Sequence, residues 1–300
     1  MFTKCGGCEW QHVPYELQWE TKLAGVKGSL ERVGILPPEK CVELPAEKIW
    51  NYRNRVQLRG EKSEIGFLAP GSLNIVPINE CTIARPEINA MIPSLREKGA
   101  ALLKRYKVEV TADEAGQVRT NWNSKHSSGG FQQVHTEQNQ VLRAWVKERI
   151  PHGAALLDLY GGGGNLSLAL AEKLREVHCV DAFVPREVPD QPKNFFFHRG
   201  HVDQWLMDFN WAAAAEGAAK VTVLDPPREG LAEPWLGIVE NLKRLEVELV
   251  LAIGCDSASW ARDVHRLTRH GFELVEIGAL DLFPQTHHVE ALAVLRRIGE

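Results

Sequence analysis

One cysteine in this sequence stands where a predicted strand turns into a helix. Cys255 follows an apolar run ending at Ile253 and precedes a polar, helix-forming stretch. A helix N-terminus carries partial positive charge, which lowers a thiol pKa below its usual value of about 8.5. A cysteine at the end of an apolar strand is, however, more often a small buried hydrophobic residue. Taken alone, Cys255 is a candidate nucleophile, and the alternative is a buried residue with a structural role only.

A second motif brings an acid to the same predicted sheet end. Residues 281–290, Asp-Leu-Phe-Pro-Gln-Thr-His-His-Val-Glu, form a polar turn that leads into a strand. Its last residue, Glu290, is a candidate general base. A base near Cys255 strengthens the case for nucleophilic catalysis by this cysteine.

A glycine-rich loop, Gly161–Gly164, links a predicted strand to a predicted helix. Glycines at such a turn let the backbone approach a ligand closely, and Asp181 at the end of the next strand is placed to bind ribose hydroxyls. The arrangement suits a nucleoside cofactor, either NAD or S-adenosylmethionine. Because Ser167 interrupts the glycine register of the dinucleotide fingerprint, NAD is the poorer fit. A tight turn without a ligand is the alternative.

A further acid ends a later predicted strand. Asp225 precedes Pro226 and Pro227, which restrict the backbone and so limit where its carboxylate can lie. Ligands of doubly wound sheets gather at the carboxyl ends of the strands. Asp225 can therefore contact a cofactor or a substrate, although a turn with a solvated aspartate explains it equally well in isolation.

The composition argues against a disulfide-rich scaffold and against a membrane-spanning protein. Six cysteines in 300 residues are too few for a disulfide scaffold, and a Cys5-Gly-Gly-Cys8 spacing can chelate a soft metal centre. No apolar run approaches the roughly 20 residues that span a bilayer. The first residues show no signal pattern, so the sequence predicts a cytoplasmic protein without a membrane partner.

The pattern along the chain predicts two regions, residues 1–127 and residues 128–300. A helix over Pro14–Val33 and short antiparallel strands within residues 50–125 precede a linker at Asn123–Gly130. Strands and helices then alternate, which indicates an α/β region with a mostly parallel sheet. The first region carries a net charge of +3 and the second −7. A basic region could hold phosphates, although ordinary surface scatter explains the difference equally well.

Several motifs occur together in the order and spacing of a known family. They are Phe131-Gln132-Gln133-Val134, Asp158-Leu159-Tyr160, Leu224-Asp225-Pro226-Pro227-Arg228, Gly254-Cys255 and Phe283-Pro284-Gln285-Thr286-x-His288-x-Glu290. Over residues 50–298 the chain resembles the RNA uracil-5-methyltransferases. Its cysteines Cys5, Cys8 and Cys81 resemble those of the family branch that carries an iron–sulfur cluster and acts on 23S ribosomal RNA. The resemblance implies a Rossmann-like class I methyltransferase domain, preceded by a smaller α+β iron–sulfur and RNA-binding region.

The resemblance also implies a reaction that forms 5-methyluridine. Carbon 5 of uracil is too weak a nucleophile to attack a methylsulfonium, so Cys255 adds to carbon 6 first and Glu290 later removes the carbon-5 proton. The methyl group comes from S-adenosyl-L-methionine, and the target uridine must be flipped out of its stack. The cofactor-binding residues that the resemblance implies are Gln133, Tyr160, Asn165, Asp181 and Asp225.

For the iron–sulfur branch, the resemblance assigns Cys5, Cys8 and Cys81 as ligands of a [4Fe–4S] cluster. Such a cluster normally takes four cysteines. Relatives place the fourth six residues before Cys5, a position ahead of Met1. An upstream start, a different fourth ligand and the absence of a cluster all stay open. We predict a structural cluster in preference to a zinc-bound or metal-free site.

The chain also departs from the family pattern. Gly161, His135 and Asp181 stand where the family usually has Cys, Asn and Glu. The nucleophile motif reads Gly-Cys-Asp-Ser in place of Ser-Cys-Asn-Pro, and the negative charge of Asp256 is expected to raise the pKa of the Cys255 thiol.

The N-terminal RNA-binding β-barrel that is common in this family has no counterpart in this sequence. RNA contacts are therefore expected within residues 1–127, where the candidates are Trp50, Arg53, Arg55 and Arg59. Solvated strand residues and a core tryptophan are the alternative. Because of these departures, two other interpretations stay open. The chain could be an RNA- or ribosome-binding paralogue that has lost activity, or a methyltransferase that acts on another substrate.

Overall fold

The computed structural model describes residues 4–124, 133–184, 191–231 and 233–299. The described chain divides into two compact units. The first consists of Met1–Glu20, Ala46–Gln140 and Leu282–His287, and the second of Thr21–Pro45, Val141–Asp281 and His288–Glu300. The predicted boundary between residues 127 and 128, the glycine end of the linker, Phe131 and Gln132 lie outside the described residues. That boundary therefore stays a prediction.

Six α-helices and thirteen strands are described. The helices are α1 (Tyr15–Arg32), α2 (Pro86–Ala100), α3 (Thr136–Arg149), α4 (Val202–Asp208), α5 (Trp235–Arg244) and α6 (Ser257–Arg269). The strands are β1 (Cys41–Leu44), β2 (Arg55–Glu61), β3 (Glu64–Leu68), β4 (Ile75–Pro77), β5 (Tyr106–Ala112), β6 (Val118–Trp122), β7 (Ala155–Leu159), β8 (Glu176–Asp181), β9 (Phe195–Arg199), β10 (Lys220–Leu224), β11 (Leu249–Gly254), β12 (Phe272–Leu280) and β13 (Glu290–Arg297).

The first unit is built on a five-stranded antiparallel sheet with the strand order β4-β3-β2-β5-β6. The antiparallel strands predicted for residues 50–125 are confirmed. Helix α2 within that range was not predicted, although Pro86 starts it where the missing N–H is tolerated. Its buried residues Ile88, Ile92 and Leu95 recur at helical spacing and pack into the core of the sheet.

The second unit is built on an eight-stranded sheet with the order β1-β12-β13-β11-β10-β7-β8-β9. Every neighbouring pair is parallel except those that involve β13, which runs antiparallel between β11 and β12. The mostly parallel sheet predicted from the sequence is confirmed. Strand β7 is buried along its whole length and β11 is buried after its first residue, as expected where helices cover a parallel sheet.

Local structure after the glycine loop differs from the prediction. A helix was expected over Asn165–Leu174, and the structure has a 3₁₀ helix over Leu168–Lys173. The carbonyls of Ala171 and Leu174 accept hydrogen bonds from the side-chain amide of Asn194, at 2.7 and 2.9 Å. Because Arg175 N donates to Ala154 O, the chain leaves the helical path there and enters β8. Among the described residues, no helix is long and apolar enough to cross a membrane.

Candidate active site

The carboxyl ends of three parallel strands bring three predicted site residues to one level of the second unit. In register, Leu159 of β7 pairs with Val180 of β8 and with Leu224 of β10. The next residues along these strands are Tyr160, Asp181 and Asp225. Adjacent strands lie about 4.8 Å apart, so these residues form a row across the sheet edge. This is the edge at which doubly wound sheets bind their ligands.

The same edge brings the predicted nucleophile and base together. Strands β11 and β13 are antiparallel, and Gly254 pairs with Ala291. The next opposed positions are Cys255 and Glu290, whose Cα atoms in such a register lie roughly 5 Å apart. Because β10 and β11 are parallel neighbours, Asp225 follows β10 beside them. The structure thus places Cys255, Glu290 and Asp225 in one cluster.

Glu290 of this cluster is buried and Asp225 is half-buried, and both carboxyl groups are harder to ionise than usual. Glu290 is buried, and burial raises its pKa to about 8, with the negative charge of Asp225 adding to the rise. Burial likewise raises the pKa of Asp225 to about 7, with further contributions from Asp158 and Asp181. A carboxylate whose pKa lies near neutrality is suited to take up a proton during a reaction at pH 7.

The Cys255 thiol is also less acidic than an ordinary thiol. Burial raises its pKa to about 11, and the charges of Glu290 and Asp225 oppose ionisation further. The expectation that the helix N-terminus lowers the pKa of Cys255 was wrong, because burial and two nearby carboxylates raise this pKa. Unless substrate binding changes this balance, Cys255 is a neutral thiol at pH 7.

Asp256 has a different role from the one predicted. Its side chain accepts hydrogen bonds from Ala258 N at 3.1 Å and Ser259 N at 3.0 Å, so it caps the N-terminus of α6. The hydrogen bond from Ser259 N is the main reason that the pKa of Asp256 is lowered. The carboxylates that raise the pKa of Cys255 are Glu290 and Asp225. The expectation that Asp256 raises it is therefore corrected.

Two glycines that depart from the family pattern have steric reasons in this chain. A Cβ atom at Gly254 would lie 2.8 Å from Cβ of Trp260, so the serine that is usual before the nucleophile does not fit here without a shift. A Cβ atom at Gly161 would lie 2.5 Å from the Asp158 carboxylate and 2.6 Å from Sγ of Cys179. Cys179 thus occupies space that a side chain at position 161 would need.

The glycine loop leaves room for a nucleoside cofactor. Gly162 has a φ of +55°, and a Cβ atom built there would meet nothing within 4 Å. Its N–H donates to Oδ2 of Asp181 at 3.1 Å, and Phe183 N donates to Oδ1 at 2.7 Å. These contacts fix the Asp181 carboxylate, whose remaining lone pairs can accept hydrogen bonds from ribose hydroxyls.

One acid in this region was not assigned a role from the sequence. Asp158 is completely buried at the end of β7, and its Oδ2 accepts a hydrogen bond from Ser167. Its Oδ1 is buried without a hydrogen-bond partner among the described residues. Burial raises the pKa of Asp158 to about 6. The sequence signal was an acid within the apolar strand Ala155–Leu159. A buried, incompletely bonded carboxylate beside an open glycine loop fits a cofactor that carries hydroxyl or ammonium donors.

The other predicted cofactor residues lie in different places. Tyr160 adopts a φ of +65° at the turn after β7, and burial raises the pKa of its hydroxyl to about 12. Asn165 is half-buried just after the glycine loop. Gln133 is buried and belongs to the first unit. Its main-chain carbonyl oxygen accepts a hydrogen bond from the side-chain amide of Asn54 at 3.0 Å.

The three predicted metal ligands are brought together in the first unit. Cys5, Cys8 and Cys81 line one pocket together with Gln11 and Glu80. Burial raises the pKa of the Cys8 thiol to about 11, and the nearby Cys81 and Cys5 raise it further. Among the described residues, no group of three or more His, Cys, Asp or Glu side chains is arranged to hold a metal ion. The other three cysteines belong to the second unit.

The predicted RNA-contact residues differ in their availability. Arg55 forms an ion pair with the buried Glu109, at 2.6 Å, and so serves the sheet of the first unit. Arg53 Nε donates to the carbonyl oxygen of Arg55 at 2.9 Å. Trp50 is 38% exposed, and Arg59 lines a groove with Arg105 and Lys107. The groove and Trp50 are the accessible part of the predicted surface.

No family model matches the sequence. An uncharacterized RNA methyltransferase from Nitrosomonas europaea is 28% identical, over 98% of this chain and 77% of the relative. A 23S rRNA (uracil(1939)-C(5))-methyltransferase from Pseudomonas putida is 26% identical, over 98% of this chain and 78% of the relative. The solved structure of a Pyrococcus abyssi tRNA (uracil-54, C5)-methyltransferase, in complex with S-adenosyl-L-homocysteine, superposes with a TM-score of 0.75. That match has 23% identity and covers 97% of this chain and 86% of the other.

The fold is that of the Rossmann-like class I methyltransferases. Within that class, the relatives that match nearly the whole chain and the motifs that converge on Cys255 agree. The chain is similar over nearly its whole length to RNA methyltransferases, among them uracil-5-methyltransferases.

Proposed function

We propose that this chain is an S-adenosylmethionine-dependent uracil-5-methyltransferase that forms 5-methyluridine in 23S ribosomal RNA. The observation that carries the proposal is the cluster of Cys255, Asp225 and Glu290 at one sheet edge. A nucleophile and two carboxyl groups with raised pKa values are the groups that addition to uracil and removal of a ring proton require. The choice of 23S RNA rests on relatives such as the Pseudomonas putida enzyme.

Cys255 begins the reaction by adding to the uracil ring. Its sulfur forms a bond to carbon 6, and the C5=C6 electron pair moves toward O4 to give an enolate with electron density at carbon 5. Since the free thiol has a pKa of about 11, its proton must pass to a nearby acceptor during the addition. Asp225, with a pKa of about 7, is the proposed acceptor, which leaves Glu290 available for the later step.

The residues around the glycine loop would hold the cofactor. Asp181 is placed to bind the ribose hydroxyls, and the buried Asp158 offers an acceptor to an ammonium or hydroxyl group. The predicted contacts of Tyr160, Asn165 and Gln133 stay proposals. S-adenosylmethionine, when bound, supplies the electrophilic methyl group for carbon 5.

Glu290 completes the reaction by removing the proton from carbon 5. The electron pair of the C–H bond re-forms the C5=C6 double bond, and the bond between carbon 6 and Sγ of Cys255 breaks. Because Glu290 is buried and its pKa is about 8, its carboxylate binds this proton more strongly than a solvated glutamate would. The target uridine must leave its stack to reach Cys255.

A methyl-transfer assay tests the proposal. The protein is incubated with unmodified 23S RNA and labelled S-adenosylmethionine, and the digested RNA is analysed for labelled 5-methyluridine. We expect the label with the native protein and none with Cys255→Ala. Intact RNA binding without label would point to an inactive RNA-binding paralogue. Label in another nucleoside would point to a methyltransferase with a different substrate.

We further propose that Cys5, Cys8 and Cys81 hold a [4Fe–4S] cluster. Three thiols around one pocket supply the soft donors that iron–sulfur clusters take, but only three of the usual four. Bound iron and sulfide in protein purified without oxygen would support the cluster, and their loss in Cys81→Ser would locate it. Colourless protein without iron would contradict it, and one bound zinc ion would indicate a zinc site.

A further inference from the structure

A buried ion pair lies in the second unit beside the strand that carries Glu290. Nζ of Lys22, on α1, is 2.7 Å from Oδ1 of Asp281, and both side chains are completely inaccessible to solvent. Burial lowers the pKa of Lys22, and the charge of Asp281 acts in the opposite direction. A lysine is rarely placed in such surroundings without a partner, because an unpaired buried charge is costly.

Asp281 occupies a defined position relative to the proposed base. Leu280, the last residue of β12, pairs with Glu290, the first residue of β13. Asp281 follows directly, and its N–H donates to the carbonyl oxygen of Leu44 at 3.1 Å, which extends the pairing with β1. The ion pair therefore holds the end of β12 at the point where this strand meets Glu290.

We propose that Lys22 is a positioning residue for Glu290, acting through Asp281. This inference rests on the proposed function, in which Glu290 removes the carbon-5 proton. Without the ammonium group, the buried Asp281 carboxylate loses the cation that it contacts at 2.7 Å, so the surrounding structure must admit water or shift to solvate the charge. Each of these changes alters the strand end that fixes Glu290, and catalytic rates are sensitive to displacements of about 1 Å.

The consequence is specific to one step of the reaction. Addition of Cys255 and methyl transfer precede the action of Glu290, so they still give a methylated ring bonded to Sγ. Release requires that Glu290 accept the carbon-5 proton, that the C–H electron pair re-form the C5=C6 bond and that the C6–S bond break. A misplaced Glu290 therefore causes the covalent protein–RNA adduct to accumulate relative to free product.

Lys22→Met tests this directly. The measured quantity is the ratio of denaturant-resistant protein–RNA adduct to released 5-methyluridine, on natural 23S RNA with S-adenosylmethionine. We expect this ratio to rise about tenfold over the native protein. Lys27→Met is the matched control on the same helix, since the charge of Lys27 acts on Cys41, and it should leave the ratio unchanged. A defect in folding alone would lower adduct and product together without changing their ratio.

Asp281→Asn keeps the test decisive if Lys22→Met does not fold. It removes the carboxylate, and we expect a smaller rise of the ratio in the same direction. A native protein that releases 5-methyluridine, with an unchanged ratio in the variants that fold, would overturn the positioning role and leave the proposed function intact. A native protein that gives neither adduct nor product would contradict the proposed function itself.

Discussion

At pH 7 the proposed nucleophile keeps its proton, since burial, Glu290 and Asp225 together hold the pKa of Cys255 near 11. The same enclosure raises the pKa values of Asp225 and Glu290 to about 7 and 8. The sequence predicted which residues form this cluster, because their motifs end neighbouring strands. It did not predict their protonation, which depends on burial and on carboxylates that are distant in the chain. The role expected for Asp256 was wrong because its carboxylate caps α6, and the carboxylates that raise the pKa of Cys255 are Glu290 and Asp225.

The pH dependence of 5-methyluridine formation, which includes both base-assisted steps, follows from the raised carboxyl pKa values. A base acts only when it is deprotonated, so the fraction of active protein should increase as the pH rises through about 7 to 8. We expect single-turnover rates to increase from pH 6 and to level off above about pH 8.5. A rate that is flat or falls between pH 6 and 8 would contradict these assignments.

Glu290→Gln should abolish product release and yet stabilise the fold at alkaline pH. The pKa of Glu290 is raised from 4.5 to about 8, so the folded state binds the proton more strongly than the unfolded chain. Ionisation therefore destabilises the native protein progressively as the pH rises from about 4.5 to 8. A neutral glutamine removes this penalty, and at pH 8.5 we expect a gain on the order of 1–3 kcal/mol in the free energy of unfolding.

Thermal unfolding measured at pH 5 and pH 8.5 checks this expectation. The stability difference between Glu290→Gln and the native protein should be small at pH 5 and large at pH 8.5. A variant that is less stable than the native protein at pH 8.5 would show that Glu290 is stabilised in its ionised form.

At the scale of elements, local patterns predicted most of the second unit. The strands at 155–159, 176–181, 220–224, 249–254 and 272–280 all matched apolar runs in the sequence. Among the features that escaped prediction, two depend on distant partners. Strand β1 is short and pairs with β12, more than 230 residues later. Strand β13 enters the sheet antiparallel between β11 and β12, and this insertion is what places Glu290 opposite Cys255.

A substitution at Gly254 tests whether the close packing of β11 against α6 positions the nucleophile. Gly254→Ala would bring a methyl group to 2.8 Å from Cβ of Trp260, so β11 or α6 must shift. We expect a loss of about 1–3 kcal/mol in the free energy of unfolding, together with slower methyl transfer. Gly237→Ala is the matched control, because a Cβ atom there, on α5, meets nothing within 4 Å. Equal stability of the two variants by denaturant unfolding would contradict the steric argument.

At the scale of the whole molecule, charge is distributed unevenly. The chain carries a net charge of −4, yet residues 1–127 have a net charge of +3. The accessible basic groups include Arg59, Arg105 and Lys107 in the groove of the first unit. The sequence predicted the basic character of this region and named Arg59. It could not show that Arg55 is committed to Glu109.

Arg59→Glu should weaken RNA binding by about tenfold at low salt, because it replaces a phosphate-attracting charge with a repelling one. Affinity for the cofactor should not change, since Arg59 is not among the proposed cofactor residues. Filter binding over a range of salt concentrations measures the effect. Lys243→Glu, on α5 of the second unit, is the control, and an equal loss in both variants would indicate nonspecific electrostatics.

The most direct test of the central claim is to trap Cys255 on the base. RNA that contains 5-fluorouracil presents fluorine where the departing proton would be, so Glu290 cannot complete the elimination. Mass spectrometry of the digested complex, formed with S-adenosylmethionine, should find a methylated fluorouracil bonded to the peptide that contains Cys255. Methyl transfer to natural RNA without any adduct on the fluorinated RNA, or an adduct on a different cysteine, would contradict the assignment of Cys255 as the nucleophile.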